Sequence, residues 1–243
     1  MQIHAFRMLA GAWLDLLYPR TCPGCGSDAG PAHGHVCWDC TAGMSWVGDP
    51  LCCVCGDPVY GEVGHVYTCA ACRQRKPWFD AARSAARYRG PMQTLMQAFK
   101  YGHGLYLARD FSRMLQACIG AHWPNLRFDA VCAVPLHPRK QRERTYNQSL
   151  LLARHLARQY NTLELSRVLC RIRPTVSQTG LSASVRAANV REAFQTRHKE
   201  WIEGRGFLLV DDVMTTGATL NACARVLKKS GARSVHAVTV ARG

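Results

Sequence analysis

Hydrophobic and polar positions follow two different patterns along this 243-residue chain, and the change falls near residues 76–80. After that point, short apolar runs alternate with segments in which apolar residues recur every three or four positions. Before it, the chain is rich in cysteine and glycine and has little periodicity of either kind. Pro77 suits a linker at the change, because proline biases the preceding residue away from helix. The pattern predicts a small module over residues 21–76 and a larger domain over residues 77–243.

The larger segment has the strand and helix pattern of an α/β domain. Apolar runs predict buried strands over Phe128–Leu136, Gly206–Val213 and Ser234–Ala241. Helical spacing predicts helices over Met92–Tyr101, Tyr146–Tyr160 and Ala218–Lys229. Because strands that alternate with helices usually pair in parallel, we expect a Rossmann-like parallel sheet with helices on its faces.

A further helix, with an amphipathic pattern, is predicted over residues 1–20. Its apolar patch around Met8–Leu17 is interrupted by Asp15, and no stretch reaches the roughly 18 apolar residues that a membrane span needs. We therefore expect no membrane span. With no credible secretory segment either, we expect a cytoplasmic protein in a reducing compartment.

Nine of the thirteen cysteines lie between residues 22 and 72. Eight of them form four Cys-x-x-Cys pairs, namely Cys22, Cys25, Cys37, Cys40, Cys52, Cys55, Cys69 and Cys72. In a reducing compartment this spacing favours metal ligation, and a redox or disulfide cluster is the weaker alternative. Four thiolates suit a tetrahedral Zn²⁺ ion, and a site closed by four protein ligands is structural. We expect two such zinc sites.

Three details of the zinc module stay open at the level of sequence. Cys53 competes with Cys52 as a ligand, because the two are adjacent. The four pairs can be combined in sequence order, which we adopt, or in an interleaved arrangement. Histidines among the cysteines can replace a ligand; they are His33, His35 and His65.

The most specific stretch of the chain is the segment FLLVDDVMTTGAT over Phe207–Thr219. Its apolar start predicts a buried strand, and ligands bind at the carboxyl ends of such strands in open α/β sheets. Asp211 and Asp212 stand at that end, where paired carboxylates can accept hydrogen bonds from the vicinal hydroxyls of a ribose. A loop that opens a helix follows and offers amides and hydroxyls to a phosphate; its residues are Thr215, Thr216, Gly217, Ala218 and Thr219. A plain buried strand with a helix cap explains neither the two acids nor the three threonines around a glycine.

A basic segment follows the predicted strand that ends at Leu136, and we interpret it as a loop. It carries Arg139, Lys140, Arg142 and Arg144, and arginine forks bind phosphate oxygens in pairs. Such a loop can hold a pyrophosphate, whereas a solvated run of charge is the plainer interpretation. Lys100, at the end of a predicted helix, can add one more cation.

Together these segments resemble the ComF family of competence proteins, over nearly the whole chain from Tyr18 to Arg242. The acid pair and threonine loop resemble the signature of type I phosphoribosyltransferases, in which the acids hold the ribose and the loop holds its 5′-phosphate. The resemblance implies a zinc ribbon before a phosphoribosyltransferase-like domain, and a role in DNA uptake during natural transformation. Matching positions are Pro135, Arg142, Arg144, Asn147, Gln148, Gln178, Thr179, Leu181, Arg186, Asn189 and Phe194. Thr145 departs from the glycine usual before the aromatic-Asn-Gln triplet.

Two functions compete on these grounds. The first is a transferase that binds phosphoribosyl pyrophosphate with Mg²⁺ and moves the ribosyl group to an unidentified acceptor. The second is a non-catalytic competence factor that binds nucleotide or single-stranded DNA, with DNA-uptake proteins as partners. The net charge of +15, from 31 Lys and Arg against 16 Asp and Glu, favours polyanionic ligands. A zinc-ribbon adaptor that docks other proteins is a third, weaker candidate.

Overall fold

The computed structural model describes residues 20–30, 34–59, 61, 63–102, 104–173 and 192–243. The predicted helix over residues 1–20 lies outside these ranges except for its last residue. Five of the positions that match the ComF pattern also lie outside them: Gln178, Thr179, Leu181, Arg186 and Asn189. In the described part of the chain, no helix is both long and apolar enough to cross a membrane.

A five-stranded, wholly parallel sheet forms the centre of the larger domain. Its strands are β1 (Ala81–Arg87), β2 (Ala130–Ala133), β3 (Leu163–Glu164), β6 (Gly206–Met214) and β7 (Ser234–Arg242), in the order β1-β7-β6-β2-β3. A separate antiparallel pair consists of β4 (Leu169–Arg171) and β5 (Phe194–Thr196). The predicted parallel α/β fold is confirmed.

The helices of the larger domain are α3 (Pro91–Tyr101), α4 (Leu107–His122), α5 (Pro138–Arg144), α6 (Gln148–Gln159) and α7 (Ala218–Lys229). Two short helices lie in the cysteine-rich module, α1 (Trp38–Ala42) and α2 (Ala70–Gln74). Single 3₁₀ turns span Ser166–Val168 and Lys199–Trp201. The three predicted helices of the larger domain match α3, α6 and α7 within two residues at each end.

Two predicted elements differ from the structure. The strand predicted over Phe128–Leu136 is confined to β2, because the chain leaves the sheet before Pro135. The basic segment predicted as a loop is instead the helix α5. His137 caps this helix by accepting a hydrogen bond from the Arg139 amide at 3.2 Å, and Pro138 occupies its first turn.

Each face of the sheet is covered by its own group of apolar side chains. On one face α3, α4 and α6 bury Leu95, Phe99, Phe111 and Leu152. On the other, α7 and the β4–β5 pair bury a second group with Phe194, Phe207 and Leu220. Burial of these side chains stabilises the sheet, which then fixes where its carboxyl ends lie.

The cysteine-rich module packs against the edge strand β1. The Val47 amide donates to the Ala85 carbonyl at 3.0 Å, and the Arg87 amide donates to the Ser45 carbonyl at 2.7 Å. Further along, the Ala82 amide donates to the Val54 carbonyl at 2.7 Å. The module thus covers backbone groups that an edge strand would otherwise expose.

Candidate functional site

Two clusters of four cysteine sulfurs lie in the N-terminal module. The first joins Cys22, Cys25, Cys37 and Cys40, and the second joins Cys52, Cys55, Cys69 and Cys72, with the sulfurs of each cluster within 4.8 Å of one another. The Sγ atoms of Cys25 and Cys37 are 3.5 Å apart, and those of Cys55 and Cys69 are 3.7 Å apart. A tetrahedral zinc site with bonds of about 2.3 Å has edges of roughly 3.8 Å. The sulfur positions therefore fit two structural Zn²⁺ ions.

The clusters combine the cysteine pairs in sequence order. Cys53 stays outside the second cluster, since its Sγ contacts Thr68 Oγ1 at 3.2 Å. His35 and His65 are in neither cluster. The His35 amide donates to the buried Asp110 carboxylate at 3.1 Å, and the His35 ring packs on the ring of Tyr106. His33 lies outside the described residues.

Arg242 connects the second cysteine cluster to the sheet. This nearly buried guanidinium donates to the Cys55 carbonyl at 2.8 Å and to Asp57 Oδ1 at 2.8 Å. It also lies 3.5 Å from the sulfur of Met214, which directly precedes the threonine loop. The second zinc site therefore shares a packed boundary with that loop.

The two acids lie near the carboxyl end of β6, next to α6 and α3. Ser149 Oγ donates to Asp211 Oδ1 at 2.8 Å, and the Asp212 amide donates to the same oxygen at 2.9 Å. Lys100 Nζ forms an ion pair with Asp212 Oδ2 at 3.1 Å, and both side chains are largely buried. Each carboxylate thus has a partner of its own.

Burial and the negative charge of Asp212 raise the pKa of Asp211 to about 7. The hydrogen bonds from Ser149 and the Asp212 amide, and the charge of Lys100, act in the opposite direction but do not cancel the rise. Asp211 therefore titrates near neutral pH.

The threonine loop lies between β6 and the N-terminus of α7. Gly217 has a φ of 74°, a left-handed conformation that side chains disfavour, and a Cβ there would approach Met214 Cε at 2.7 Å. The Ala218 amide lies 3.4 Å from Thr216 Oγ1, and both Thr215 and Thr216 are exposed. A twelve-residue helix that begins at such a loop attracts anions through the amides of its first turn and its dipole. A small pocket lies against this loop and reaches Asp211.

The cations of α5 form an inner set, the partly buried Lys140 and Arg144, and an outer set, the exposed Arg139 and Arg142. Arg144 donates to the Tyr101 hydroxyl at 3.0 Å and lies 5.0 Å from the centroid of that ring. Burial, together with Arg171 and Arg144, lowers the pKa of the partly buried Lys140. Arg139 and Arg142 are exposed, and Arg139 pairs with Glu143 at 3.2 Å.

Residues of the aromatic-Asn-Gln triplet attach α6 to its neighbours. Asn147 Oδ1 accepts from the Ser149 amide at 3.0 Å, while its Nδ2 donates to the Val134 carbonyl at 3.1 Å. Gln148 Nε2 donates to the Lys100 carbonyl at 3.4 Å. These contacts hold Ser149 and Lys100 beside the acids. Sequence reasoning missed Ser149, although its place in the first turn of a predicted helix, two residues after Asn147, was a usable signal.

Two family descriptions match the chain in succession. A double zinc ribbon domain matches residues 13–73, and a phosphoribosyl transferase domain matches residues 147–243. The order agrees with the cysteine clusters and the parallel sheet described above.

Curated relatives match most of the chain. Competence protein F of Haemophilus influenzae is 32% identical over 198 residues, which cover 79% of this chain and 85% of the relative. DNA utilization protein YhgH of Escherichia coli is 30% identical over 228 residues, which cover 91% and 96%. Competence protein ComFC of Bacillus subtilis is 26% identical over 221 residues, which cover 85% and 84%.

Solved structures match part of the chain. Glutamine phosphoribosylpyrophosphate amidotransferase from B. subtilis, complexed with ADP and GMP, is 19% identical with a TM-score of 0.40. The match covers 59% of this chain and spans 30% of that chain's length.

Proposed function

The chain belongs to the ComF family of competence and DNA utilization proteins, and from this membership we propose that it binds phosphoribosyl pyrophosphate with Mg²⁺ and acts in DNA uptake during natural transformation. The observation that carries the proposal is the acid pair of β6, which lies two residues before a loop that opens the helix α7. The ribose hydroxyls would donate hydrogen bonds to the two acids. The 5′-phosphate would bind to the loop residues Thr215, Thr216, Gly217, Ala218 and Thr219.

Asp211 and Asp212 are suited to hold a sugar on which positive charge develops. Transfer of a ribosyl group passes through an oxocarbenium-like state, and fixed negative charge beside the ring stabilises it. Lys100, which already neutralises Asp212, would turn toward a pyrophosphate when the hydroxyls arrive. These roles make the acids the proposed catalytic residues of a phosphoribosyltransferase whose acceptor is unidentified.

The pyrophosphate would lie against α5. Arg144 and Lys140 form the inner cations of that helix, and Arg139 and Arg142 extend the positive field outward. Mg²⁺ prefers oxygen ligands, so the pyrophosphate and ribose oxygens, with the acids of β6 nearby, fit its chemistry. When bound it would neutralise charge on the leaving group.

A second candidate function is binding of nucleotide or single-stranded DNA without transfer. It is favoured by the net charge of +15 and by exposed tryptophans in and near the zinc module, namely Trp38, Trp46 and Trp78. Tyr67 is partly buried, and Tyr60 lies outside the described residues. DNA-uptake proteins are the proposed partners in either case.

Calorimetric titration with phosphoribosyl pyrophosphate, with and without Mg²⁺ and with single-stranded DNA as a competitor, tests the proposal. Micromolar binding that requires Mg²⁺ supports it. Absence of binding, while DNA is still held in a salt-dependent way, favours the second candidate. Release of pyrophosphate on addition of candidate acceptors then separates transfer from binding alone.

A further inference from the structure

A cleft of about 480 Å³ lies between the second zinc ribbon and the threonine loop. Residues of the loop, including Thr216 and Gly217, form one wall. The short helix α2 and the residue that follows it form the opposite wall through Ala71 and Arg75. The volume, which includes space beside the zinc-site residues Cys55, Cys69 and Cys72, is within the range of small-molecule sites. Neither the acids nor the cations of α5 line this cleft.

Two pockets share residues of the threonine loop. Thr215, Gly217 and Ala218 line the pocket that contains Asp211, and the same residues line the cleft. A phosphate bound at this loop would therefore adjoin both the pocket that contains Asp211 and the cleft. Whatever is esterified to that phosphate, beyond the ribose, would extend into the cleft.

The lining of the cleft suits a nucleoside. Phe79 and Pro77 give it an apolar floor beside the loop. Asn221 lies in α7 two residues beyond the loop, and its Oδ1 accepts a hydrogen bond from the Trp78 amide at 2.6 Å, which orients the Asn221 side-chain amide. Apolar surface with a few oriented polar groups is typical of sites that bind bases and sugars.

The two arginines of the cleft have different roles. Arg242 donates hydrogen bonds to Asp57 and to the Cys55 carbonyl, so its guanidinium is already paired at the boundary with the second zinc site. The exposed Arg75 side chain makes no hydrogen bond or ion pair with another described residue. It is therefore available to stack on a base in the cleft.

The geometry points to a second nucleotide subsite in this cleft, which takes the nucleotide joined through a phosphodiester to the 5′-oxygen of the sugar at Asp211 and Asp212. The 3′-terminal ribonucleotide of a single strand, whose 2′- and 3′-hydroxyls are both free, would then occupy the ribose site, and the preceding nucleotide would lie between α2 and the threonine loop. This inference rests on the proposed function, because it uses the same loop as the phosphate site.

The probes are 5′-UMP, which fills the loop and the ribose site, and the dinucleotide UpU, which adds one nucleoside through the 5′-phosphate. Titration of the zinc-loaded full chain is expected to give about tenfold tighter binding for UpU than for 5′-UMP. Phosphoribosyl pyrophosphate should displace both.

Two substitutions test the location of the added nucleoside. Ala71→Trp fills the cleft, and Arg75→Gln removes the cation at its mouth. Each should lower the affinity for UpU to that for 5′-UMP and leave the affinity for phosphoribosyl pyrophosphate unchanged. Arg73→Gln is the matched control, since Arg73 is an exposed arginine of α2 that does not line the cleft. Zinc content, measured by metal analysis, shows that both ribbons are intact in the variants.

The outcomes are distinguishable. If UpU binds no tighter than 5′-UMP, or if Ala71→Trp and Arg75→Gln leave the UpU affinity unchanged, the subsite is overturned while the phosphate site stands. If neither nucleotide nor phosphoribosyl pyrophosphate binds, the proposed function fails and the subsite fails with it.

Discussion

Asp211 and Asp212 are adjacent in sequence, yet their surroundings give them different properties. Asp212 has a cationic partner in Lys100, whereas Asp211 has only hydrogen-bond donors and faces the charge of its neighbour. Asp211 is therefore the acid with the raised pKa. The two adjacent carboxyl groups can therefore take different roles toward one ligand.

The raised pKa of Asp211 has a consequence for stability. Its pKa of about 7 in the folded protein exceeds that of an aspartate in the unfolded chain, about 4. The folded state therefore binds more protons between these values, and the stabilisation present below pH 4 is lost as the pH rises through about 7. We expect Asp211→Asn to remove this part of the pH dependence. Urea unfolding of both proteins across pH 4–8 measures it; identical pH profiles would contradict the assignment.

Thr145 stands where a glycine is usual in the family, and the structure shows why the position favours glycine. It has a φ of 65°, in the left-handed region, at the C-terminus of α5. A β-branched residue is strained there, while glycine is not. We expect Thr145→Gly to raise the free energy of unfolding by about 0.5–1 kcal/mol, after the entropy cost of glycine. Thr145→Ala should show no such gain in the same chemical denaturation, and equal gains would argue against strain.

At the scale of elements, the sheet strands and helices nearest the site were predictable from sequence. The apolar runs of β6 and β7 and the helical spacing of α3, α6 and α7 are strong because each element is buried on a well-defined face. The strand β1 was not predicted, since its sequence AARSAAR lacks the usual strand formers. Its pairing with β7 and with the zinc module determines its conformation. Because β7 is distant from β1 in sequence, the local pattern does not predict the strand. The spacing of Leu107, Phe111 and Leu115 was a usable signal for α4.

The helix α5 is a part of the candidate site that the sequence pattern did not predict. A run of cations beside prolines resembles a solvated loop, but a helix begins after the cap at His137. The helix places the cations on different faces. The contact between Arg144 and Tyr101, forty-three residues earlier in the chain, could not be derived from local sequence. The acids and the threonine loop were predictable because they are contiguous.

The different positions of the cations on α5 predict different effects of their substitution on ligand binding. Arg144→Gln should weaken binding of phosphoribosyl pyrophosphate about tenfold or more, because a phosphate contact by a positioned guanidinium contributes roughly 1.5–3 kcal/mol. Arg139→Gln should have a smaller effect, since Arg139 is exposed and paired with Glu143. Both affinities are read by calorimetry. An equal loss in the two variants would mean that only the overall field of the helix matters.

At the scale of the whole molecule, the zinc module and the sheet form a continuous structure. Backbone hydrogen bonds join the module to β1, and Arg242 joins the second zinc site to the residue before the threonine loop. Zinc binding therefore stabilises the edge of the sheet as well as the ribbon itself.

Replacement of single cysteines tests this coupling. Cys55→Ser should remove one of two zinc ions and lower the free energy of unfolding by more than about 4 kcal/mol. It should also increase hydrogen exchange of the β1 amides. Cys53→Ser is the matched control and should keep both ions, because Cys53 is outside the cluster. Metal analysis and thermal unfolding provide the readouts. Equal zinc content in the two variants would contradict the ligand assignment.

The most direct test of the central claim is calorimetric titration of the zinc-loaded protein with phosphoribosyl pyrophosphate and Mg²⁺, for the wild type and for the double variant Asp211→Asn, Asp212→Asn. Glu200→Gln, at an exposed acid outside the site, serves as the control. We expect micromolar binding by the wild type and the control, and loss of binding in the double variant with its thermal unfolding still cooperative. Unchanged affinity in the double variant, or no binding by the wild type, would contradict the assignment of the ribose site.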